Sequence, residues 1–288
     1  MIQARNKLSQ EELSEAKKLI NCCQAYDETY RDPYLSNMLN FDTNMPAFFL
    51  YYEKGELVGL LTVYADDPDV EVAILVHPNH RCQGIARALY RSFEKETASY
   101  PIESVTFQTE RIFLERHPDF ASNWGLVEDE ETETWLGKDR RPYPLANVSN
   151  LEVLLADRSY QDQISQLKFQ AFSEEHESRE VVDRYVAKAL KDPESLLYIL
   201  LKNGQVIGTC TVDLSSNTNY LFGLAIAELE RGKGYGTYLA KSLINQLIEQ
   251  NDKAFQIAVE DSNLGAKRLY EKIGFVKQTQ VVYLKPKV

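Results

Sequence analysis

The stretch YLFGLAIAELERGKGYGTYLAKSLINQLIEQ, from Tyr220 to Gln250, carries the strongest structural signal in the chain. Its apolar run at residues 221–226 is too short for a helix and indicates a buried strand. Three glycines alternate within RGKGYG at residues 231–236, and apolar residues then recur at helical spacing from 239 to 248. A strand, a glycine-rich turn and an amphipathic helix in this order present unpaired backbone N–H groups at the helix N-terminus. Such groups suit an anionic phosphate.

A second strand and a second helix follow within residues 255–275. The sequence FQIAV at 255–259 is typical of a strand, and NLGAKRLYEKI at 263–273 places its apolar residues at helical spacing. Gly274 stands where the C-terminus of a helix favours glycine. The whole stretch therefore predicts strand, loop, helix, strand and helix.

The glycine turn has three alternative interpretations. A Walker A loop requires Gly-x-x-x-x-Gly-Lys-Ser/Thr, and this spacing is absent. A dinucleotide fingerprint requires Gly-x-Gly-x-x-Gly; Gly232 and Gly234 match it, but Thr237 occupies the last position. A plain turn that binds nothing is disfavoured, because such a turn rarely needs three alternating glycines before a helix.

These residues resemble the GNAT N-acetyltransferase superfamily. Arg231-x-x-Gly234-x-Gly236 looks like its acyl-CoA pyrophosphate loop, and Asn263-x-x-Ala266-x-x-Leu269-Tyr270-x-x-x-Gly274-Phe275 is similar to its second motif. The two motifs occur in order and at the usual separation. The resemblance implies acetyl-CoA as the cosubstrate. It implies cofactor contacts from Leu224, Ala225, Ile226, Arg231, Gly232, Lys233, Gly234, Tyr235, Gly236, Thr237 and Asn263.

The resemblance also implies a catalytic role for Tyr270. Acetyl transfer from a thioester to an amine requires that the amine lose a proton, that the carbonyl oxygen be stabilised and that the departing thiolate be protonated. A thiol has a pKa of about 8.5 and a phenol of about 10, so a phenol is a suitable proton donor. The alternative is a core tyrosine that packs one helix face. For Asn263 the alternatives are a bond to the pantetheine arm and a helix cap.

The same pattern occurs in a weaker form in the first half of the chain. Arg81-x-x-Gly84-x-Ala86 fits the loop pattern with alanine in the last position, so the resemblance implies cofactor contacts from Arg81, Gly84 and Ala86. Three landmark glycines recur after 149, 150 and 149 residues: Gly55 and Gly204, Gly84 and Gly234, Gly125 and Gly274. These nearly constant separations predict two tandem copies of one domain.

The predicted domains occupy residues 1–138 and 151–288, and a charged linker with two prolines joins them at 139–150. The fold class is α/β, with two tandem GNAT-like domains. Each is a mixed, mainly antiparallel sheet flanked by helices. The expected order in each half is strand, helices, antiparallel hairpin and then strand–helix–strand–helix–strand–strand.

Three local signals refine this prediction. Ser9-Gln10-Glu11-Glu12 predicts a capping box at the first helix. A second helical segment is predicted from Thr29 to Leu39. Asn203-Gly204 predicts a hairpin with a type I′ turn.

The two halves differ in their reactive residues. An offset of 149 residues places Leu114 opposite Asn263 and Ala121 opposite Tyr270, and neither side chain can donate a proton. Pro118 falls inside the corresponding helix and is expected to disturb its geometry. The first domain is therefore predicted to be degenerate and the second to be catalytic.

The sequence does not identify a general base. The strand at 220–226 contains no Asp or Glu, and Glu228, Glu260 and Asp261 nearby are expected to be solvated loop residues. Glu71, on the matching strand of the first half, is the better-placed carboxylate by pattern. Its domain is the one that lacks the tyrosine.

Composition and charge limit the class of partner. The chain has 288 residues and a net charge of −11, which disfavours nucleic acid and anionic membrane surfaces. No apolar run approaches the ~18 residues that span a bilayer, and the N-terminus lacks the apolar run of a signal peptide. The four cysteines, Cys22, Cys23, Cys82 and Cys210, show no metal-ligand spacing. A cytoplasmic protein with reduced thiols and no metal is therefore expected.

The sequence predicts an acetyl-CoA-dependent N-acetyltransferase whose second domain acetylates a small-molecule or peptide amine. The alternative is a non-catalytic protein that binds or senses acyl-CoA. Tyr270 together with Asn263 favours the enzyme, and the missing carboxylate favours the binding protein. The oligomeric state is left open between monomer and homodimer.

Overall fold

The computed structural model describes residues 1–146, 148–172 and 178–287 and contains two compact units. Unit 1 comprises Met1–Trp135 and Gln278–Val288, and unit 2 comprises Leu136–Lys277. The chain therefore leaves unit 1 within its sixth strand and returns to it within its last. In the described residues, no helix is both long enough and apolar enough to cross a membrane.

The first half of the chain forms six strands and four α-helices. The strands are β1 (Ile2–Arg5), β2 (Phe48–Glu53), β3 (Glu56–Tyr64), β4 (Asp69–Val76), β5 (Ser104–Glu110) and β6 (Leu126–Lys138). The helices are α1 (Gln10–Asp27), α2 (Ile85–Thr97), α3 (Arg111–Arg116) and α4 (Phe120–Trp124).

The second half repeats this pattern. Its strands are β7 (Leu151–Leu155), β8 (Ser195–Lys202), β9 (Gln205–Asp213), β10 (Asn219–Ile226), β11 (Phe255–Glu260) and β12 (Val276–Pro286). Its helices are α5 (Gln161–Phe172), α6 (Arg179–Ala189), α7 (Tyr235–Gln250) and α8 (Leu264–Lys272). A mixed α/β sheet in each half confirms the predicted fold class.

The sheet of unit 1 has the order β1-β2-β3-β4-β5-β12-β6. β4 and β5 are parallel. The pairs β1–β2, β2–β3, β3–β4 and β5–β12 are antiparallel. α2 packs on the sheet through Leu89 and Phe93, which are buried against Phe49 and Leu61. This apolar layer holds β4 and the start of α2 in fixed positions.

The C-terminal strand differs from the sequence prediction. β12 pairs antiparallel with β5, from Val281 opposite Glu110 to Leu284 opposite Phe107. Val282 and Leu284 are fully buried in the core of unit 1. Residues 278–288, which the repeat assigned to the second domain, therefore belong to the first compact unit. Within the described residues each half ends in one long strand, so the predicted final pair of strands is wrong.

The sheet of unit 2 includes the order β11-β10-β9-β8-β7, with α7 and α8 packed against it. Residues of the predicted linker lie along α7 in this unit; Asn147 is outside the described residues. Tyr143 N–H donates to Asn245 Oδ1 (2.8 Å), and Asn245 Nδ2 donates to the Tyr143 carbonyl (2.9 Å). Arg140 donates to the carbonyls of Ile248 and Asn251, both at 2.7 Å. This part of the linker is therefore anchored by hydrogen bonds.

Backbone angles confirm the internal repeat. Lys54 and Gly55 have φ values of 50° and 88°, and Asn203 and Gly204 have values of 52° and 80°, as a type I′ turn requires. The other two landmark pairs also have positive φ in both halves: Gly84 and Gly234 (81° and 84°), and Gly125 and Gly274 (67° and 87°). Cys82 and Gly232, which are also 150 residues apart, have φ values of 60° and 75°. The repeat therefore extends from the sequence to the conformation of its turns.

One predicted helix is absent. The capping box at Ser9 and Glu12 is confirmed, but the segment predicted as a helix from Thr29 to Leu39 contains none. Glu28 adopts a left-handed conformation and ends α1. The Glu110 carboxylate accepts hydrogen bonds from the N–H groups of Tyr30 (3.0 Å) and Arg31 (2.9 Å). This tertiary contact ties the start of the segment to the end of β5.

Candidate active site

The two parallel strands at the centre of unit 2 separate along their length. β10 and β11 pair only from Asn219 opposite Phe255 to Leu221 opposite Ile257. The register between β10 and β9 shifts between Phe222 and Ala225, which marks a bulge. An opening therefore begins between β10 and β11 just before the predicted cofactor-binding residues Leu224, Ala225 and Ile226.

The glycine-rich loop joins β10 to α7. Gly232 and Gly234 have φ values of 75° and 84°, which a glycine adopts without strain. Gly234 is the N-cap of α7, and the first bond of the helix runs from Tyr238 N–H to the Gly234 carbonyl (3.0 Å). The N–H groups of Tyr235, Gly236 and Thr237 consequently have no partner within the helix. Together with the positive end of the helix dipole, they suit a phosphate.

The charged side chains of this loop support its backbone. Arg231 Nε donates to the Ile226 carbonyl (3.0 Å), and Lys233 Nζ donates to the Leu229 carbonyl (2.7 Å). Lys233 also pairs with Glu230, which in turn pairs with Lys202 at 2.9 Å. These contacts hold the loop in shape. A role of Arg231 and Lys233 in cofactor binding stays a prediction.

Gly236 marks a close approach of α7 to α8. A Cβ atom at Gly236 would lie 3.1 Å from Leu269 Cδ1. The small residue thus permits tight packing between the helix that begins at the loop and the helix that carries Tyr270. The loop and the tyrosine are positioned by the same core.

Asn263 is a helix cap in this structure. Its Oδ1 accepts a hydrogen bond from Ala266 N–H (3.1 Å) at the start of α8. Of the two interpretations of Asn263, the cap is therefore observed. A bond to a pantetheine arm stays a prediction.

Tyr270 lies in the last turn of α8, and its side chain is buried, with 6% of the residue exposed. Its ring packs edge-on against Phe275, and burial raises the pKa of the phenol. The hydroxyl has no hydrogen-bond partner within the part of the chain that the structure describes. A protonated, unpartnered phenol is chemically able to donate a proton, and it also belongs to the buried core of unit 2.

Lys168 is a residue that the sequence prediction missed. It lies on α5, is 5% exposed, and directs its ammonium towards Gly223 in the bulge of β10. The available signal was its position, since Ile164, Leu167, Lys168 and Ala171 recur at helical spacing and form one face of α5. A lysine on an apolar helix face is unusual, because its charge must be compensated when it is buried.

Unit 1 contains a cavity of about 750 Å³ at the corresponding position. Its walls are the ends of β4 and β5, the loop with Arg81, Cys82, Gly84 and Ala86, and the segment of α3 and α4. β4 and β5 pair from Asp69 opposite Ser104 to Val72 opposite Phe107, so here too the strands separate beyond the paired region. Ala88 N–H donates to the Gly84 carbonyl (2.9 Å), which leaves the N–H groups of residues 85–87 without helical partners.

Arg81 has a structural partner that the sequence did not indicate. Its guanidinium forms two hydrogen bonds with the buried carboxylate of Asp27, at 2.7 and 2.6 Å. Its Nε donates to the Val76 carbonyl (3.0 Å), as Arg231 does to Ile226 in unit 2. Asp27 raises the pKa of Arg81, which is therefore permanently charged. The ion pair secures the loop of unit 1 to the end of α1.

The first half lacks the helix that would correspond to α8. Residues 117–119, which include Pro118, separate α3 from α4, as the expected disturbance by Pro118 implies. Leu114 is buried in α3, and Ala121 lies in α4. Neither position offers a proton donor to the cavity.

Carboxylates near the two sites have different environments. Glu228 and Glu260 in unit 2 are exposed, and Asp261 pairs with Lys267 at 3.6 Å. In unit 1, Glu71 accepts a hydrogen bond from Gln108. Burial raises the pKa of Glu71 to about 7, against the effect of the Arg31 guanidinium and with a further rise from Glu133. Within the described residues, no group of three or more His, Cys, Asp or Glu side chains could hold a metal ion.

Replacement of Glu71 by Gln is expected to raise the melting temperature at pH 8 and to leave it almost unchanged at pH 4. The pKa of Glu71 is higher in the folded protein (about 7) than its ordinary value (4.5), so ionisation favours unfolding as the pH rises through this range. Glutamine cannot ionise and removes this loss. Melting curves across the pH range, with Glu260→Gln as an exposed control, measure the effect. Equal shifts in the two variants would contradict the prediction.

Comparisons with known proteins agree with this geometry. The family described as "Acetyltransferase (GNAT) family" matches residues 13–137 and 161–275. Mycothiol acetyltransferase from Clavibacter sepedonicus is 25% identical over 230 residues, which are 76% of this chain and 73% of that protein. Among solved structures, a GCN5-related N-acetyltransferase from Sphaerobacter thermophilus has a TM-score of 0.70 at 17% identity. The match covers 100% of this chain and 96% of that chain. A tandem GNAT protein from the clavulanic acid biosynthesis pathway has a TM-score of 0.69 at 16% identity, with 99% and 97% covered.

Proposed function

The chain belongs to the GNAT acetyltransferase family, and we propose that its unit 2 transfers an acetyl group from acetyl-CoA to the amine of a small molecule or peptide. The observation that carries the proposal is the combination, in one unit, of a glycine-capped helix N-terminus, whose first N–H groups have no partner within the helix, and a buried phenol without a hydrogen-bond partner in the described residues. The N–H groups of Tyr235, Gly236 and Thr237 supply the first, and Tyr270 supplies the second.

Different residues of unit 2 bind different parts of the cosubstrate. The loop at 232–237 binds the pyrophosphate, because its N–H groups and the dipole of α7 favour negative charge. The backbone of Leu224, Ala225 and Ile226, beyond the paired part of β10 and β11, offers hydrogen bonds to the pantetheine arm. The bound cosubstrate supplies an activated acetyl thioester.

Tyr270 acts as the general acid. The amine nitrogen attacks the thioester carbonyl, a C–N bond forms, the C–S bond breaks, and the departing sulfur takes the proton of the Tyr270 hydroxyl. The amine loses its own proton to solvent, and the phenolate recovers one from there. Burial raises the pKa of Tyr270, which keeps the phenol protonated at neutral pH.

A second candidate function is acyl-CoA binding without transfer, in unit 1. The cavity of about 750 Å³ and the helix N-terminus at Gly84 favour binding, and the absence of a proton donor at Leu114 and Ala121 argues against catalysis there. Ala86 adds only one methyl group to the position of Gly236. Unit 1 therefore has the features of a binding domain.

The test is CoA release by the full-length protein from acetyl-CoA, with a panel of primary amines. We expect release with at least one amine, and we expect Gly84→Glu to retain it, because only the loop of unit 2 serves the reaction. Gly84→Asn is the uncharged control, since Asn adds a neutral side chain and tolerates the positive φ of 81°. Arg81 is left intact, because its removal would leave the buried charge of Asp27 unpaired.

Two results would contradict the proposal. CoA release with none of the amines, from a protein that binds acetyl-CoA, would favour the non-catalytic function. Loss of transfer in Gly84→Glu but not in Gly84→Asn, with an unchanged melting curve, would assign the reaction to unit 1.

A further inference from the structure

Lys168 is a buried cation in unit 2 that the proposed reaction leaves without a role. Its ammonium has no hydrogen-bond or ion-pair partner in the described ranges of the chain. The rings of Phe172 and Tyr185 lie 5.8 and 5.5 Å from its Nζ. The rings stabilise the cation in part through cation–π attraction. The transfer of an ammonium from water to a buried site is nevertheless unfavourable, and an anion compensates its charge more fully. Burial accordingly lowers the pKa of Lys168 to about 8.

β10 leaves room for the Lys168 ammonium at Gly223. Gly223 has a φ of 59° within the bulge of β10, and a Cβ atom at this position would lie only 2.7 Å from Lys168 Nζ. Any larger residue at 223 would displace the ammonium. Gly223 therefore admits the cation to the point where β10 and β11 have just separated.

Cys210 connects Lys168 to the proposed general acid. The thiol of Cys210 donates to the Phe222 carbonyl at the bulge (3.7 Å). Cys210 and Tyr270 belong to the same buried core cluster of unit 2, together with Leu221 and Ile226 of β10. Lys168 and Tyr270 therefore reach the same region of β10 from α5 and α8.

We propose that Lys168 binds a carboxylate of the acceptor, so that unit 2 acetylates amines that also carry a carboxylate group. This inference rests on the proposed function of unit 2. A group with a pKa of about 8 is mostly protonated at neutral pH, and a single compact ammonium matches one carboxylate. A phosphate would call for several donors, whereas the rings of Phe172 and Tyr185 provide none from their faces. The two rings instead suit the apolar part of an amino-acid-like molecule.

The first experiment measures binding alone, so that it does not depend on acetyl transfer. Melting temperatures are recorded in the presence of CoA with a panel of amino acids and with the matching amino acid amides, which lack only the carboxylate. We expect at least one amino acid to stabilise the protein more than its amide does. We expect Lys168→Met to abolish this difference and to melt no lower than the original protein without ligand, because the substitution removes a buried charge that has no anionic partner in the described residues.

Lys241→Met is the matched control. It also removes one positive charge from unit 2, but Lys241 lies on α7 with its ammonium over the Tyr143 ring (5.0 Å). We expect this variant to respond to carboxylates as the original protein does. The inference is overturned if no carboxylate stabilises the protein, or if Lys168→Met and Lys241→Met respond alike.

The second experiment measures selectivity. With the amines that support CoA release, kcat/KM is expected to favour the amino acid over its amide by roughly 10- to 100-fold, as a charge-assisted hydrogen bond implies. Lys168→Met is expected to lose this preference. Equal rates for amino acid and amide would overturn the inference but not the proposed function. Peptide mass spectrometry after incubation with acetyl-CoA supplies a further check, since an acetylated Lys168 would make that side chain an acceptor and contradict a carboxylate-binding role.

Discussion

Gly234→Glu is expected to abolish the binding of acetyl-CoA to unit 2. Gly234 caps α7 with a φ of 84°, and the N–H groups proposed to bind the pyrophosphate follow it directly. A glutamate at this position places a carboxylate beside the phosphates and strains the backbone. Hydrogen bonds to charged groups contribute about 1.5–3 kcal/mol each, so the loss of two weakens binding by on the order of 100-fold or more.

Isothermal titration calorimetry in a Gly84→Glu background isolates this effect, because any site in unit 1 is then blocked. Gly234→Gln is the matched control, since it has the same size and the same strain as Gly234→Glu but no charge. We expect the glutamate variant to bind more weakly than the glutamine variant. An affinity equal to that of the Gly84→Glu background would disprove phosphate binding by this loop.

Tyr270→Phe is expected to lower kcat by ~100- to 10,000-fold, the usual contribution of a general acid. The affinity for acetyl-CoA is expected to stay nearly constant, since the ring is retained. The structure makes this a clean substitution. The Tyr270 hydroxyl has no hydrogen-bond partner in the described part of the chain, so its removal breaks no bond while the contact with Phe275 remains.

Single-turnover and steady-state CoA release with the best amine measure this effect, and Tyr238→Phe serves as a control on α7. A decrease in kcat of less than about threefold, with normal folding, would assign Tyr270 to core packing. In that case the thiolate would be protonated by solvent or by another group.

The sequence alone was sufficient for the features that depend on local order. The turn at Asn203-Gly204, the glycine N-caps at Gly84 and Gly234 and the break at Pro118 arise from backbone preferences of single residues, so each is visible in the sequence. The tandem repeat was equally clear, because its landmark glycines all adopt positive φ and tolerate few replacements.

Local preference also failed in one segment. Thr29–Leu39 was predicted to be helical but contains no helix, and the segment is tied to β5 by hydrogen bonds from its first N–H groups to the side chain of Glu110, about 80 positions further along the chain. A contact over that separation is set by how β5 is placed in the sheet. Local periodicity carries no information about such a contact.

The pairing of the last strand required the tertiary structure. The sequence of β12 is compatible with either compact unit, since alternating apolar residues specify a buried strand but not its neighbour. Its position beside β5 follows from the burial of Val282 and Leu284 in the core of unit 1.

The candidate site combines both kinds of information. The loop at 231–236 and Tyr270 could be predicted because their residue types and spacing are specific. The partnership of Arg81 with Asp27 and the approach of Lys168 to Gly223 could not, because each joins residues more than 50 positions apart. Such pairs form only when separate elements pack together. Packing then determines how deeply each charged side chain is buried and which group lies beside it.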